Sequence, residues 1–442
     1  MSYTREDILK SAKENHVRLV RMQFSDIFGI LKNVAISVSQ LEKALDGELM
    51  FDGSSIDGFV RIEESDMYLK PDYASWLVLP TENGDIVTAR LICGIYTPDG
   101  NPFAGDPRYV LQRALDKAKE SGYQMNIGPE AEFFLFHTDA EGNPLLKTHD
   151  KAGYFDLTPV DHGENARRDI ILTLEDLGFE VEASHHECAP GQHEIDFKYA
   201  DALRAADNVQ TFKYVVRSVA QKHGLHASFM PKPIFGVAGS GMHVNQSLYK
   251  NGKNAFYNPD GEMQLSQEAF HYIGGLLKHA PAFTAVTNPT VNSFKRLVSG
   301  YEAPVYIAWA TKNRSPLIRI PAKRGASTRI ELRSPDPACN PYLAFAVMLA
   351  SGLEGINKKI TPPPSVECNI YELDQAEMKK YMVDTLPGSL EDAVYNLKNS
   401  SLMREAMGEH VFERFIEAKK MEWDNYRISV SHWEIEQYFN KF

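Results

Sequence analysis

Two glutamates, two residues apart in Gly128-Pro-Glu-Ala-Glu-Phe-Phe-Leu-Phe, are the first residues in this chain whose spacing could do chemistry. The segment reads as a strand, so Glu130 and Glu132 share one face with Phe134 and Phe136. Burying either carboxylate alone on an aromatic face costs several kcal/mol, so a counter-charge is required. An exposed edge strand also fits the pair. A second acidic pair stands in His185-His-Glu-Cys-Ala-Pro-Gly-Gln-His-Glu-Ile-Asp-Phe. If Pro190-Gly191 is a two-residue hairpin turn, Glu187 lies directly across from Glu194. Opposed like charges are unfavourable unless something positive lies between them. A divalent cation answers both demands.

Two further segments add to the set. Gly236-Val-Ala-Gly-Ser-Gly-Met-His-Val-Asn-Gln-Ser offers a flexible backbone and then a strand with His243, Asn245 and Ser247 on one face. In the strand Thr328–Arg333, alternation aligns Arg329, Glu331 and Arg333, an arrangement that also fits a structural ion-pair ladder. Arg314, Arg319, Lys323, Arg324, Arg329 and Arg333 crowd twenty positions of an acidic chain, and such groups suit phosphates and substrate carboxylates. Five glutamates and one histidine form an oxygen-rich set that fits Mg²⁺ or Mn²⁺ and not structural zinc. Metals beside arginines suggest phosphoryl transfer, yet no GxxxxGK[ST] loop or kinase signature is present.

The elements that must position these residues are legible in outline. Thr4 and Asp7 predict a capped helix, and Val20, Met22 and Phe24 predict a strand. The turn-rich run from Thr97 to Pro107 predicts a domain boundary, giving domains of residues 1–100 and 106–442. Asp106-Pro107 predicts the start of a helix, as do the patterns over 164–177, over 201–222 and from Asn340-Pro341. Thr361-Pro-Pro-Pro-Ser reads as a surface connection. The aromatic C-terminal segment (Trp423, Tyr426, Trp433, Tyr438, Phe439) either docks on a neighbouring subunit or packs on its own domain.

At 442 residues with 43% hydrophobic content the chain reads as globular, and its net charge of −12 argues against a nucleic-acid surface. No apolar run reaches membrane-span length, and the polar start carries no secretory signal. The four scattered cysteines, Cys93, Cys188, Cys339 and Cys368, read as reduced thiols, so the expected location is cytoplasmic.

The chain resembles the bacterial type I glutamine synthetases over essentially its full length. The matching motifs are Phe51-Asp-Gly-Ser-Ser-Ile, Gly128-Pro-Glu-Ala-Glu-Phe-Phe, His185-His-Glu, Gly191-Gln-His-Glu, Met230-Pro-Lys-Pro and Gly239-Ser-Gly-Met-His. Asn288-Pro-Thr-Val-Asn-Ser-Phe-Lys-Arg-Leu-Val, Gly300-Tyr-Glu-Ala-Pro, Asn313-Arg-Ser and Arg329-Ile-Glu-Leu-Arg follow in order. The resemblance implies an α+β fold of the glutamine synthetase/guanido kinase-like kind. An N-terminal β-grasp domain would precede a larger catalytic α/β domain with a curved antiparallel sheet and a C-terminal helical segment. Twelve copies would stack as two six-membered rings, with each active site between neighbours.

By the same resemblance, Glu132, Glu187 and Glu194 would hold one metal, and Glu130, His243 and Glu331 a second, with two to three Mg²⁺ or Mn²⁺ per site. Arg296, Arg333 and the Gly239 backbone would bind glutamate. Arg314 would stabilise the transferring phosphoryl group of ATP. Glu182, Tyr199, Asn245, Ser247, Arg319 and Lys323 would lie near the nucleotide. Asp52 of an adjacent subunit would deprotonate ammonium, and Glu302 would sit on a flap. The implied reaction makes glutamine, ADP and phosphate through γ-glutamyl phosphate. A γ-glutamyl-polyamine ligase and a dinuclear metallohydrolase are the alternatives.

Ala238 stands where many members have Asn, and Asn245 where a His is common. The neighbourhood of Tyr371 lacks the Leu-Pro-Pro of adenylylated members, which points to the shorter Gram-positive subtype. That subtype implies glutamine feedback, with Arg61 at a regulatory position, and nitrogen-regulatory protein partners. Arg61 also fits a surface ion pair with Glu63 or Glu64.

Overall fold

Thr4 closes a capping box with Asp7 and starts α1 (Arg5–Glu14), which buries Ile8 and Ala12. β1 (Val17–Ser25) follows with Val20, Met22 and Phe24 turned inward. Next come β2 (Leu31–Ser37), α2 (Leu41–Leu45), β3 (Leu49–Asp52), β4 (Asp66–Val78) and β5 (Val87–Tyr96). These strands pair in the order β2-β1-β5-β4-β3, with β1 and β5 parallel at the centre and the other pairs antiparallel. A parallel central pair cannot be closed by a tight turn, so the chain must cross over, and α2 lies on that crossover. This is the expected β-grasp order. The computed structural model describes residues 3–56, 58, 66–80, 86–301 and 303–442. Arg61 and Glu302 lie outside the described residues.

Asp106 caps α3 (Pro107–Glu120) by accepting the Arg108 N–H at 2.9 Å, and also accepts the Ile95 N–H at 3.1 Å. The cap therefore also ties the helix to β5. The chain continues through β6 (Tyr123–Thr138), β7 (Pro144–Thr148), α4 (Glu164–Asp176), β8 (Val181–His186), β9 (Gln192–Phe197) and β10 (Ala200–Asp201). Then follow α5 (Ala202–Lys222), β11 (Leu225–Ser228), β12 (Met242–Lys250), β13 (Lys253–Asn254), α6 (Gln267–Thr287) and α7 (Ser293–Arg296). The short strands β14 (Tyr306–Ile307), β15 (Trp309–Ala310), β16 (Ile318–Arg319) and β17 (Ile330–Leu332) precede α8 (Pro341–Lys358).

The large sheet runs β15-β16-β17-β12-β6-β9-β8. It is antiparallel as expected, except that β15 and β16 pair in parallel at one edge. β6 is its spine. Met125, Ile127, Phe133 and Leu135 face a core shared with α5, α6 and α8, where Phe133 meets the Phe212 ring at 6.2 Å. The alternate residues Glu130, Glu132, Phe134 and Phe136 face the other way, because strand side chains alternate. One layer of helices thus leaves the opposite face of the sheet for chemistry.

Polar contacts lock the two sheets together. Arg108 bridges Asp72 at 2.5 Å and Asp207 at 3.0 Å, and the buried Arg90 donates to Thr211 at 3.1 Å. Asn340, the cap of α8, also donates its side-chain amide to Asp26 O at 3.2 Å. No disulfide joins any of Cys93, Cys188, Cys339 and Cys368. At the C-terminus, helix Glu409–Arg427 packs through Val411, Phe412, Phe415 and Ile416, whereas helix His432–Tyr438 buries no residue. Trp433, Tyr438 and Phe439 are exposed. No described helix is long and apolar enough to cross a membrane.

Candidate active site

Strand pairing brings the acids together. β12 lies beside β6 with His243 opposite Glu130, and β9 lies on the other side with Glu194 opposite Glu132. β17 places Glu331 across from Asn245, and β16 sets Arg319 beside Glu331. Ligand atoms of Glu130, His243 and Glu331 lie within 4.8 Å of one another. The same holds for Glu132, Glu194 and His243, and for His185, Glu187 and Glu194. The expected carboxylates therefore converge, with Glu194 shared between two sets.

The hairpin register differs from expectation. His185, not Glu187, faces Glu194, and the ladder extends to the Glu187 N–H, which donates to Gln192 O at 2.8 Å. The connection is thus Cys188–Gly191, longer than the two-residue Pro190-Gly191 turn. Gly191 holds a left-handed φ of 68°, and a Cβ there would come 3.0 Å from Leu135 O, so glycine ends this loop. The opposed-charge argument survives on another pair: Glu132 and Glu194 are the carboxylates directly across a ladder. Glu187 reaches the cage from the loop, and His185 stands 3.4 Å from Glu187 and 3.3 Å from Glu194.

A cavity of about 250 Å³ opens over this cage, with Gly239, Arg296, Arg314, Arg319 and Arg333 in its wall. Arg296 is buried and held by Ser334 O at 2.7 Å. Arg333 and Arg319 each reach Glu331 at 2.5 Å. The flanking pair of Glu331 is therefore Arg319 and Arg333. Arg329 turns instead to Asn245 at 2.9 Å, because β16 supplies a cross-strand partner that the spacing of β17 alone does not reveal. Gly239 needs its hydrogen: a Cβ there would lie 2.3 Å from Pro231 O.

An adjoining cavity of about 350 Å³ is lined by Glu182, Tyr199, Asn245, Ser247 and Lys323. Glu130 and Asp196 line both cavities. Arg319 lines the acidic cavity and not the adjoining one. Asp52 is not part of either wall; it lies exposed at the end of β3, accepting the Ser54 N–H at 2.8 Å. Those Ser54 hydrogen bonds hold its carboxyl below the usual value.

Sequence reasoning missed three contributors. Gln192 donates to Glu132 at 2.9 Å and to Gly239 O at 3.1 Å, fixing one carboxylate oxygen. His185 was legible only as part of a motif. Asp196 shares the face of Glu194 by strand alternation, and that signal was available.

Electrostatics test whether the set suits a cation. Burial, and then the charge of Glu187, pushes Glu132 up to about 8. Burial and Asp196 raise Glu194 well above its usual value, while burial and Glu130 raise Asp196 to about 7. Burial, with Arg333 next, keeps His243 neutral and able to ligate. One buried oxygen of Asp196 has no hydrogen-bond partner among the described residues. Crowded acids that retain protons only for want of positive charge fit a divalent metal.

The sign of the pH dependence follows. A metal must displace protons from Glu132 near 8, Asp196 near 7 and the raised Glu194, so its affinity falls as pH drops through about 8 and 7. Each displaced proton costs about tenfold in affinity per pH unit. Mg²⁺ calorimetry at several pH values, in buffers of different ionisation enthalpy, should show this proton release. Affinity independent of pH would contradict it.

A β-grasp sheet joined to a larger sheet bearing an acid cage, an arginine cluster and an adjoining polar cavity is the arrangement of a two-domain enzyme for anionic substrates. Comparison with known proteins makes the class specific. Residues 16–98 match the family profile "Glutamine synthetase, beta-Grasp domain", and residues 104–438 match "Glutamine synthetase, catalytic domain". The chain belongs to the glutamine synthetase family. It is 60% identical over 440 residues to a glutamine synthetase of Clostridium saccharobutylicum, covering 100% of this chain and 99% of that one. It is 57% identical to one of Thermus thermophilus, covering 99% of each chain. Among solved structures, a GmaS–ADP complex superposes with a TM-score of 0.89 at 31% identity, covering 100% of both chains. The glutamine synthetase of Plasmodium falciparum gives 0.88 at 26%, covering 99% of both chains.

Proposed function

We propose that this protein joins ammonia to L-glutamate at the expense of ATP, giving L-glutamine, ADP and phosphate. The observation that carries the reading is the adjacency of the two cavities. An acid cage walled by arginines opens beside a polar cleft, with Glu130 and Asp196 on the shared boundary. A phosphate chain and a carboxylate substrate can meet there.

Glu132, Glu187 and Glu194 would hold one Mg²⁺ or Mn²⁺, and Glu130, His243 and Glu331 another, with room in the assignment for a third. Such ions supply charge neutralisation to the phosphates and to the transferring group. Arg296, Arg333 and the Gly239 backbone take the substrate glutamate. Arg314 stabilises the equatorial charge of the phosphoryl group as it moves from ATP to the γ-carboxylate. Glu182, Tyr199, Asn245, Ser247 and Lys323 line the nucleotide cleft, and Arg319 holds Glu331 in the acidic cavity beside it.

Ammonium is no nucleophile until it loses a proton. Asp52 of one subunit takes that proton in the cleft of the next, in a dodecamer of two stacked hexameric rings. The exposed aromatic helix His432–Tyr438 supports such packing. Glu302 covers the glutamate so that water does not hydrolyse the acyl phosphate. Phosphate release that requires both glutamate and ammonium tests the reaction. Turnover with larger amines and not ammonium would favour an amine ligase, and release without glutamate would favour a hydrolase.

Regulation follows the shorter subtype, with glutamine feedback and nitrogen-regulatory protein partners. Arg61→Ala is expected to weaken glutamine inhibition several-fold in a steady-state assay while leaving kcat unchanged. Unaltered inhibition removes Arg61 from the regulatory site.

A further inference from the structure

On the face of β8 and β9 turned away from the cleft lie His149, Asp150, Asp161, Arg167, His186 and His193, all buried. Four of them bring possible ligand atoms within 4.8 Å of one another. Two observations speak against a metal there. Arg167 already supplies positive charge, donating to Asp161 at 2.7 Å and to His193 Nδ1 at 2.9 Å. His149 Nε2 already lies 3.0 Å from Asp150 Oδ2, so that ring nitrogen and that carboxylate are paired with each other.

The connections lead to the cage instead. Asp150 Oδ1 accepts the Gly191 N–H at 2.9 Å and His186 Nε2 at 3.2 Å. The other ring nitrogen of His186 lies 2.7 Å from Glu187 O. Carboxylate and carbonyl oxygens only accept, so the His186 ring bridges Asp150 to the Glu187 carbonyl. Asp150 also accepts the Ala152 N–H at 3.3 Å and the His162 N–H at 3.2 Å. It thereby pins both ends of the loop whose Tyr154 and Phe155 rings close on His185 at 5.5 and 4.8 Å.

We propose that Asp150, acting through His186 and the Gly191 turn, is a positioning residue that sets the Glu187 side of the metal cage. The proposal rests on the cation assignment above. Asp150 accepts the Gly191 N–H of the hairpin turn and, through the His186 ring, holds the Glu187 carbonyl, while β12 and β17 carry His243 and Glu331 from the far side of β6. Its loss should therefore affect one metal set and spare the other. A merely structural role would not discriminate between them.

The test is a Mn²⁺ titration of the full chain, read by the resonance of free Mn²⁺, on the native protein, Asp150→Asn and His186→Gln. The hairpin class is identified as the one lost in Glu187→Ala. Asp150→Asn is expected to weaken that class about 10- to 100-fold and to change the other by less than about twofold. His186→Gln should act in the same direction with a smaller effect. If Asp150→Asn does not fold, the His186→Gln titration decides alone. Equal weakening of both classes, or of neither, in the variants that fold overturns the proposal. A native protein that binds no Mn²⁺ overturns the cation assignment itself, which the glutamate- and ammonium-dependent assay tests separately.

Discussion

Replacing Glu187 by alanine is expected to reduce glutamate- and ammonium-dependent phosphate release by at least about a thousandfold. Glu187 shares a set of close ligand atoms with Glu194, and its charge helps raise Glu132 to about 8. Without it, the ion assigned to Glu132, Glu187 and Glu194 loses one of three carboxylates. Lewis-acid stabilisation of a phosphoryl transition state is worth several kcal/mol, and about 4 kcal/mol is about a thousandfold in rate. The ladder bond of Glu187 is made by its backbone N–H to Gln192 O, which alanine keeps, so the substitution leaves the pairing of β8 with β9 intact. The melting temperature should therefore change little, and a cooperative thermal melt beside the assay separates lost chemistry from lost fold. Near-normal turnover would remove Glu187 from the cage.

Asp52→Ala is expected to lower kcat/KM for ammonium about 10²- to 10⁴-fold, the usual contribution of a positioned general base. ATP affinity should stay within about twofold, because Asp52 touches neither cavity of its own chain. Ser54 holds the carboxyl below its ordinary value, so it is ionised at neutral pH and ready to accept a proton. Raising the pH supplies free ammonia that needs no base, so the variant should recover toward the native rate in alkaline buffer. Parallel losses in ammonium use and ATP binding, without alkaline recovery, would make Asp52 structural.

The parts of the site legible in the sequence are those set by strand periodicity. Glu130, Glu132, Phe134 and Phe136 fall on one face of β6 because side chains alternate, whatever the rest of the fold does. The caps at Thr4, Asp106 and Asn340 are equally local. The register of the β8–β9 hairpin was not legible, because it depends on where the loop ends. The positive φ of Gly191 fits the expected turn and the observed longer one alike. The exchange of Arg329 for Arg319 beside Glu331 reflects a cross-strand neighbour twelve residues away, which periodicity within one strand does not encode. The buried network of Asp150 and His186 joins a loop to a strand end and has no period at all. Asp196 was legible and overlooked: the alternation that selects Glu194 selects it too.

The central claim is that two divalent ions sit in this cage, each held by three of six named side chains. Anomalous diffraction from crystals grown with Mn²⁺ tests it most directly. Two peaks are predicted in the acidic cavity, one within ligand distance of Glu132, Glu187 and Glu194, the other of Glu130, His243 and Glu331. A cavity without Mn²⁺ peaks, or peaks among His149, Asp161 and His193 behind the sheet, would contradict it.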